Sequence, residues 1–478
     1  MTIRHSLLAL SALALPATAL AQYAPWPPYQ PPPPQPQSWP PYQPPIAQPW
    51  PAPRAPVAQA PVVAQRAAQR APALEPIDLP PAIEQGVDMI YIDEELIPRA
   101  AAQDKGLFHD ISFDDWSGAP VDMFVSMNPI YTDLRRGLIK YRQRWGDLPQ
   151  VAIDAGPTLK PGSEGDRVAA LRVRLGLPEG GKFDQPLANA VKEFQAVHGL
   201  KADGIAGAGT IAALNRGAQY YEQLIIINIE RAKRLPAPEE QRKYVIVDAG
   251  GARLSMWDNG RMVDSMKIVV GKAETATPMM AAYIKYASVN PYWNVPPELV
   301  RNLIGPRVVA QGVSYLTERE YQVLTDLGDG GRVLDPNTID WQAVVDGRQE
   351  VSLRRLPSPA NSMGMMKFML PNYFGIYLHD SPEKDHFTKN ELWISNGCVR
   401  VEDYKRLASW LFGGYVPKGS NPKVEEEVNL PTPVPVYMTY LTVQPTADGV
   451  QFLEDHYGRD SHLMERFGSQ LMAAVRGE

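Results

Sequence analysis

The chain has 478 residues, 47 basic and 53 acidic, for a formal net charge of −6 with no long basic stripe, which argues against nucleic acid as the main ligand. That length points to two or three folded units. The single cysteine excludes an internal disulfide framework and any multi-cysteine zinc or iron–sulfur site.

Residues 1–21 open with a basic Arg4, continue through an apolar run from Leu7 to Leu15, and close on the small residues Ala19 and Ala21. This is the pattern of a secretory signal peptide cleaved after Ala21. The apolar run is shorter than the roughly 20 residues that span a bilayer, and no transmembrane anchor is expected. Of the 48 prolines, 21 fall within residues 22–81, so this stretch cannot pack a core and reads as a disordered tether of extended polyproline character. At about 3.1 Å per residue it reaches on the order of 150 Å. Its interleaved Trp26, Tyr29, Trp39, Tyr42 and Trp50 leave open whether it is a spacer or docks on a partner or a glycan.

Residues 82–157 form a helical scaffold segment, clearest where Tyr131, Leu134, Leu138 and Tyr141 recur at three- and four-residue steps. Residues 158–215 make a small three-helix unit: Val168, Leu171 and Leu175 share one face, and Leu187, Val191, Phe194 and Val197 another. His198, with Asp184 and Asp203, is expected to be a surface residue rather than a metal ligand. Residues 216–241 hold a linking helix from Tyr220 to Arg234. From residue 242 to 460 the period changes to two, with a hairpin turning at Asp258-Asn259-Gly260 and strands ending at Gly271, around Tyr377 and beyond Pro433. Within it, residues 295–369 read as a mostly helical or loop insertion and a lid candidate. Residues 461–478 read as a tail. The expected class is therefore multidomain α+β, with a mainly-β sheet domain, a helical scaffold and the three-helix unit.

Chemistry concentrates between Gly375 and Phe412. Cys398 lies in Ser395-Asn396-Gly397-Cys398-Val399-Arg400, ahead of an amphipathic helix bearing Tyr404, Leu407 and Leu411. A cysteine near a helix N-terminus lies close to unpaired N–H groups that favour the thiolate, which is a nucleophile's setting. His379, ending the strand Ile376-Tyr377-Leu378-His379, suits a base that takes the thiol proton and returns it to a leaving amine. His386, 12 residues before the cysteine, is the rival and falls in a charged loop. Tyr377 shares the strand face of His379. Arg400 has two readings, a contact to a substrate carboxylate or a brace to Asp380 or Glu402. Ser395 is read as support for the turn, and Tyr292 and Trp293 as pocket lining or core.

The run His379-Asp380 through Ser395-x-Gly397-Cys398-Val399-Arg400, with Thr277-Pro278, Asn290 to Pro296 and Tyr377, resembles the signature of the L,D-transpeptidase (YkuD-type) catalytic domain. The order of Phe194-Gln195, Gly199-Leu200, Asp203-Gly204, Thr210 and Leu214 resembles a small peptidoglycan-binding domain. Together they are similar to the large periplasmic branch of the family. The resemblance implies a cysteine acyl transfer with peptidoglycan stem peptides and glycan as partners and no cofactor or metal. Cys398 would take the acyl group of a stem tetrapeptide, releasing D-alanine, and a second stem's amine would resolve the thioester into a 3-3 crosslink. It further implies that a backbone carbonyl at or near Asp380 orients His379, and that N–H groups around Gly397 and Cys398 hold the oxyanion, with Asn396 at the same turn. Three alternatives stay open: hydrolysis or lipoprotein attachment on the same scaffold, an inactive wall-binding protein, and a sortase-like enzyme.

Overall fold

The computed structural model describes residues 86–103, 126–328, 331–389 and 391–476. The signal peptide, the tether and parts of the scaffold segment, His5 and His109 included, lie outside the described residues. The strands are β1 Ile90–Tyr91, β2 Lys243–Asp248, β3 Arg253–Asp258, β4 Arg261–Gly271, β5 Met280–Val289, β6 Trp293–Val295, β7 Tyr321–Leu324, β8 Val333–Leu334, β9 Ser352–Arg355, β10 Met366–Met369, β11 Leu378–His379, β12 Trp393–Ser395, β13 Val399–Val401, β14 Glu426–Thr439, β15 Val443–Thr446 and β16 Gly449–Phe452. The longer helices are α1 Pro129–Tyr141, α2 Asp166–Arg174, α3 Gln185–Val197, α4 Ala208–Arg216, α5 Ala218–Ala232, α6 Tyr404–Leu411 and α7 Arg459–Arg476.

The large sheet runs β1-β5-β10-β11-β13-β4-β3-β2-β14, and β14 pairs back onto β5, so eight of its strands close on themselves. Closure removes unpaired edges. The hairpin between β3 and β4 turns at Asn259 and Gly260, with φ of 49° and 70°, the two positive values that a type I′ turn requires.

Period two then divides the strands between two cores. On β2, Val245 and Val247 point into the closed sheet with Leu254, Ile268 and Phe368, whereas Tyr244 and Ile246 point out against the helices. Tyr437 on β14 and Ala281 on β5 join the outer set. That outer surface is covered by α5, nearly all of which is buried, and by α1. Helix starts follow local chemistry: Asn128 and Asp184 cap α1 and α3 by accepting from Ile130 N–H and Leu187 N–H, each with proline in the first turn.

The three-helix unit shares this outer core. His198 is 7% exposed, inside a cage of Tyr141, Trp145, Phe194, Tyr221 and Phe452. The expectation of a surface histidine is corrected: its Nδ1 donates to Phe194 O at 2.7 Å and its Nε2 lies 3.0 Å from the Tyr141 hydroxyl. Burial pushes its pKa down to about 3.

Two other segments hold more structure than expected. Residues 295–369 are mostly helix and loop, as expected, but β6, β7, β8 and β9 also form a four-stranded sheet of their own around Val295, Leu316, Val323 and Leu353, and β10 rejoins the large sheet. Short strands interrupted by Gly and charged residues hide the period of two. The segment read as a tail holds helix α7, which runs to Arg476 with Leu463 and Leu471 buried. Among the described residues no helix is long and apolar enough to cross a membrane.

Asp460 at the start of α7 is 3% exposed and accepts from Arg231 of α5 at 2.6 Å, and Arg231 is fully buried. Removing one partner of a buried pair leaves an uncompensated charge. Asp460→Ala is therefore expected to destabilise the fold by about 3–5 kcal/mol, read as a lower urea midpoint with an unchanged slope.

Candidate active site

The site is built at the pairing of two short parallel strands. Leu378 pairs with Val399 and His379 with Arg400, and Val399 N–H donates to Tyr377 O at 3.1 Å. Paired residues share a face, and faces alternate along each strand. The register therefore sets Tyr377 and His379 on one face together with Cys398 and Arg400, with sulfur and imidazole on diagonal neighbours. The Tyr377 and His379 rings meet edge to face at 5.7 Å.

His379 is 2% exposed, and its Nδ1 lies 2.6 Å from the backbone oxygen of Asp380. A carbonyl only accepts, so Nδ1 carries the proton and Nε2 keeps its lone pair. Burial, with Arg400 and Lys367 nearby, pushes the imidazole pKa down to about 3, against the opposing pull of the Asp380 carbonyl. The Asp380 carboxylate is occupied elsewhere, accepting from Met365 N–H at 2.9 Å and Lys384 Nζ at 2.8 Å.

Cys398 is half-buried, and its thiol faces Gly375 O at 3.7 Å. The expectation of a helix N-terminus is corrected here. The residue precedes strand β13, and α6 begins only at Tyr404, capped by Asp403. No helix dipole acts on the sulfur. Burial pushes the thiol above its ordinary 9.0, while the backbone N–H and hydroxyl of Tyr377, then Arg400 and Lys367, oppose that rise. Tyr377 is itself pushed up, chiefly by burial and then by the sulfur.

The turn that carries Cys398 is clamped from both sides. Ser395 Oγ donates to Cys398 O at 2.7 Å and accepts Gly397 N–H at 3.2 Å. Thr277 Oγ donates to Gly397 O at 2.8 Å, and Thr275 Oγ and Lys272 N–H both donate to Ser395 O. Gly397 has φ of 112°, a conformation L side chains rarely adopt, and a Cβ there would press on Ile376 at 3.1 Å. Asn396 is exposed at the tip.

The remaining expected residues separate. Arg400 pairs with Glu383 at 3.2 Å, not with Asp380 or Glu402, and Glu383 also binds His386 at 2.8 Å. Glu402 instead accepts Lys267 N–H. Tyr292 lies at the edge of the site, its carbonyl accepting Lys367 Nζ at 3.3 Å, while Trp293 leads into the small sheet beside Tyr321. Lys367, opposite His379 in the antiparallel β10–β11 register and paired with Glu425 at 2.9 Å, was not singled out from the sequence. The signal available was a lone lysine inside the apolar run Met365 to Leu370.

Residues 242–436 match the family model described as "L,D-transpeptidase catalytic domain", and residues 171–214 that described as "Putative peptidoglycan binding domain". Residues 242–436 form a YkuD-type L,D-transpeptidase domain. A Haemophilus influenzae protein named "Putative L,D-transpeptidase" is 28% identical over 247 residues, covering 50% of this chain and 49% of the relative. The chain thus spans about half the length of that curated relative. Among solved structures, the L,D-transpeptidase of Xylanimonas cellulosilytica is 18% identical over 60% of this chain and 98% of that one, at a TM-score of 0.19. An L,D-transpeptidase from Mycobacterium smegmatis is 12% identical over 43% of this chain and 60% of that one, at a TM-score of 0.20.

In this L,D-transpeptidase domain burial, the largest influence on both groups, favours thiol and neutral imidazole over an ion pair. Alkylation of Cys398 by iodoacetamide should climb about tenfold per pH unit through neutrality and past pH 9. A plateau between pH 5 and 8 would reveal a preformed thiolate–imidazolium pair.

Proposed function

We propose that this chain is an extracytoplasmic L,D-transpeptidase that makes 3-3 peptidoglycan crosslinks through a cysteine thioester. The observation that carries this is the shared face of Cys398 and His379, with the Nδ1 proton fixed on Asp380 O so that Nε2 is the free base. The two matched domains support peptidoglycan as the substrate. The signal-peptide pattern at residues 1–21 supports export to the periplasm.

In the first step Nε2 takes the thiol proton as sulfur attacks the carbonyl between the third residue of a stem tetrapeptide and its terminal D-alanine. The carbon–nitrogen bond then breaks, the imidazolium returns the proton to the departing amine, and a thioester remains on Cys398. In the second step a side-chain amine of another stem attacks the thioester. His379 accepts the amine proton, the sulfur leaves, and the new amide is the crosslink. Because the resting thiol is neutral, proton transfer accompanies attack, and a neutral thiol also resists stray alkylation.

One of the two expected oxyanion donors is taken. Gly397 N–H is already committed to Ser395 Oγ, so the donors we assign beside the sulfur are Cys398 N–H and the Tyr377 hydroxyl. Lys367 and Arg400 add positive field toward the developing negative charge, and both also hold His379 neutral.

The experiment is incubation of purified protein with tetrapeptide muropeptides, followed by mass spectrometry. Wild type should yield 3-3 dimers and free D-alanine, and Cys398→Ala should lose turnover by more than about a thousandfold. Tripeptide without dimers would assign the same machinery to hydrolysis instead. Tyr377→Phe should lower kcat by about 10- to 100-fold with little change in KM, since an oxyanion donor acts in the transition state.

A further inference from the structure

A second concave site lies where the three-helix unit meets the catalytic sheet. This groove of about 470 Å³ is lined by Gly199 and Ala202 beyond α3, by Gly250 and Gly251 between β2 and β3, by Trp393 of β12, and by Gln451 and His456. Its volume lies within the range of small-molecule sites, which favour domain junctions.

The groove is preformed. Trp393 Nε1 donates to Ala249 O at 2.8 Å, and the His456 ring stacks on the indole with centroids 3.5 Å apart. Gly199, at φ of 68°, lies so close to Phe452 that a Cβ would sit 2.5 Å from its carbonyl oxygen. That contact locks the helical unit to the hairpin β15–β16.

The lining selects a chemistry. Trp393 and His456 offer flat aromatic surface, Gln451 and Glu454 offer hydrogen-bonding groups, and the rest is apolar or small, with Leu200, Phe452 and Leu453 among alanines and glycines; neither lysine nor arginine lines the groove. Such a surface suits a neutral, polyhydroxylated ring, whose C–H faces lie on aromatic carbon while its hydroxyls meet amide and carboxylate. An anionic ligand would find no cation there.

Position links the groove to the sulfur. Trp393 opens β12, and two residues later Ser395 holds both Gly397 N–H and Cys398 O. Five residues of extended chain cover at most about 17 Å. A lactyl-linked peptide of three to four residues covers a similar length.

We propose that this groove binds the N-acetylhexosamine backbone of the glycan strand whose stem is delivered to Cys398. The proposal rests on the peptidoglycan reading above and adds to it a second, saccharide subsite shared by the two matched domains. Its first consequence is a lower KM for disaccharide-tetrapeptide than for the free tetrapeptide.

The test uses the full chain with chitotetraose, a β-1,4-linked N-acetylglucosamine oligomer that carries no peptide, titrated by calorimetry. Ala202→Trp fills the groove from an exposed position, and His456→Ala removes the imidazole stacked on Trp393. The expected result is saccharide binding that each variant weakens at least tenfold, with the rate of Cys398 acylation by a β-lactam unchanged. In turnover, Ala202→Trp should erase the KM preference for the glycan-bearing substrate. Absence of chitotetraose binding, binding indifferent to both variants, or competition by free tetrapeptide alone would overturn the proposal. Saccharide binding in a protein whose Cys398 cannot be acylated would sink the transpeptidase reading and leave the groove standing.

Discussion

The parallel pairing of Leu378–His379 with Val399–Val401 is the constraint from which the rest of the site follows. It places an imidazole from one strand and a thiol from the next on a common face, and it does so with backbone hydrogen bonds rather than a side-chain bridge between them. A one-residue slip would turn His379 away from Cys398. The register is protected by the closed sheet around it: β10 fixes one flank through Lys367 and Phe368, and β4 fixes the other through Val269 and Ile268. The clamp from Thr275 and Thr277 then sets the turn that aims the sulfur.

Electrostatics at this face has a single direction. Burial disfavours charge on both reacting groups, and the cations Arg400 and Lys367 push further against an imidazolium while favouring a thiolate. Their own carboxylate partners, Glu383 and Glu425, keep the local charge balanced. The result is a pair of neutral groups in a field ready to stabilise negative charge as it forms. Preorganisation of this kind acts at the moment of reaction without first requiring an ion pair.

Much of this was legible from residue order. The cysteine, the histidine and Ser395 as turn support all lie within a 20-residue stretch, where strand alternation and turn chemistry decide geometry, whereas the Asp380 carbonyl as orienting acceptor came only from the family resemblance. The type I′ turn at Asn259-Gly260 was equally local. What escaped was non-local. Lys367 reaches His379 only through β10–β11 pairing, Thr277 reaches Gly397 across 120 positions, and Arg400 pairs with Glu383 rather than with Asp380 or Glu402. Cys398 lies outside the reach of the α6 dipole because three residues of strand intervene before that helix, a spacing that hydrophobic periodicity does not resolve. His198 failed for the opposite reason: a lone polar residue was weighed without the five aromatic rings that surround it. The small sheet between β6 and β9 was hidden by strands of two to four residues, and α7 by its charged exterior.

The account stands or falls on whether the imidazole of His379 serves the sulfur of Cys398. The most direct measurement is the rate at which a carbapenem acylates the protein, followed by intact mass and mapped to its peptide, in wild type and in His379→Ala at pH 7. The prediction is a single adduct on Cys398 that forms at least about a hundredfold more slowly in the variant. Equal rates in the two folded proteins, or an adduct elsewhere in the chain, would contradict it.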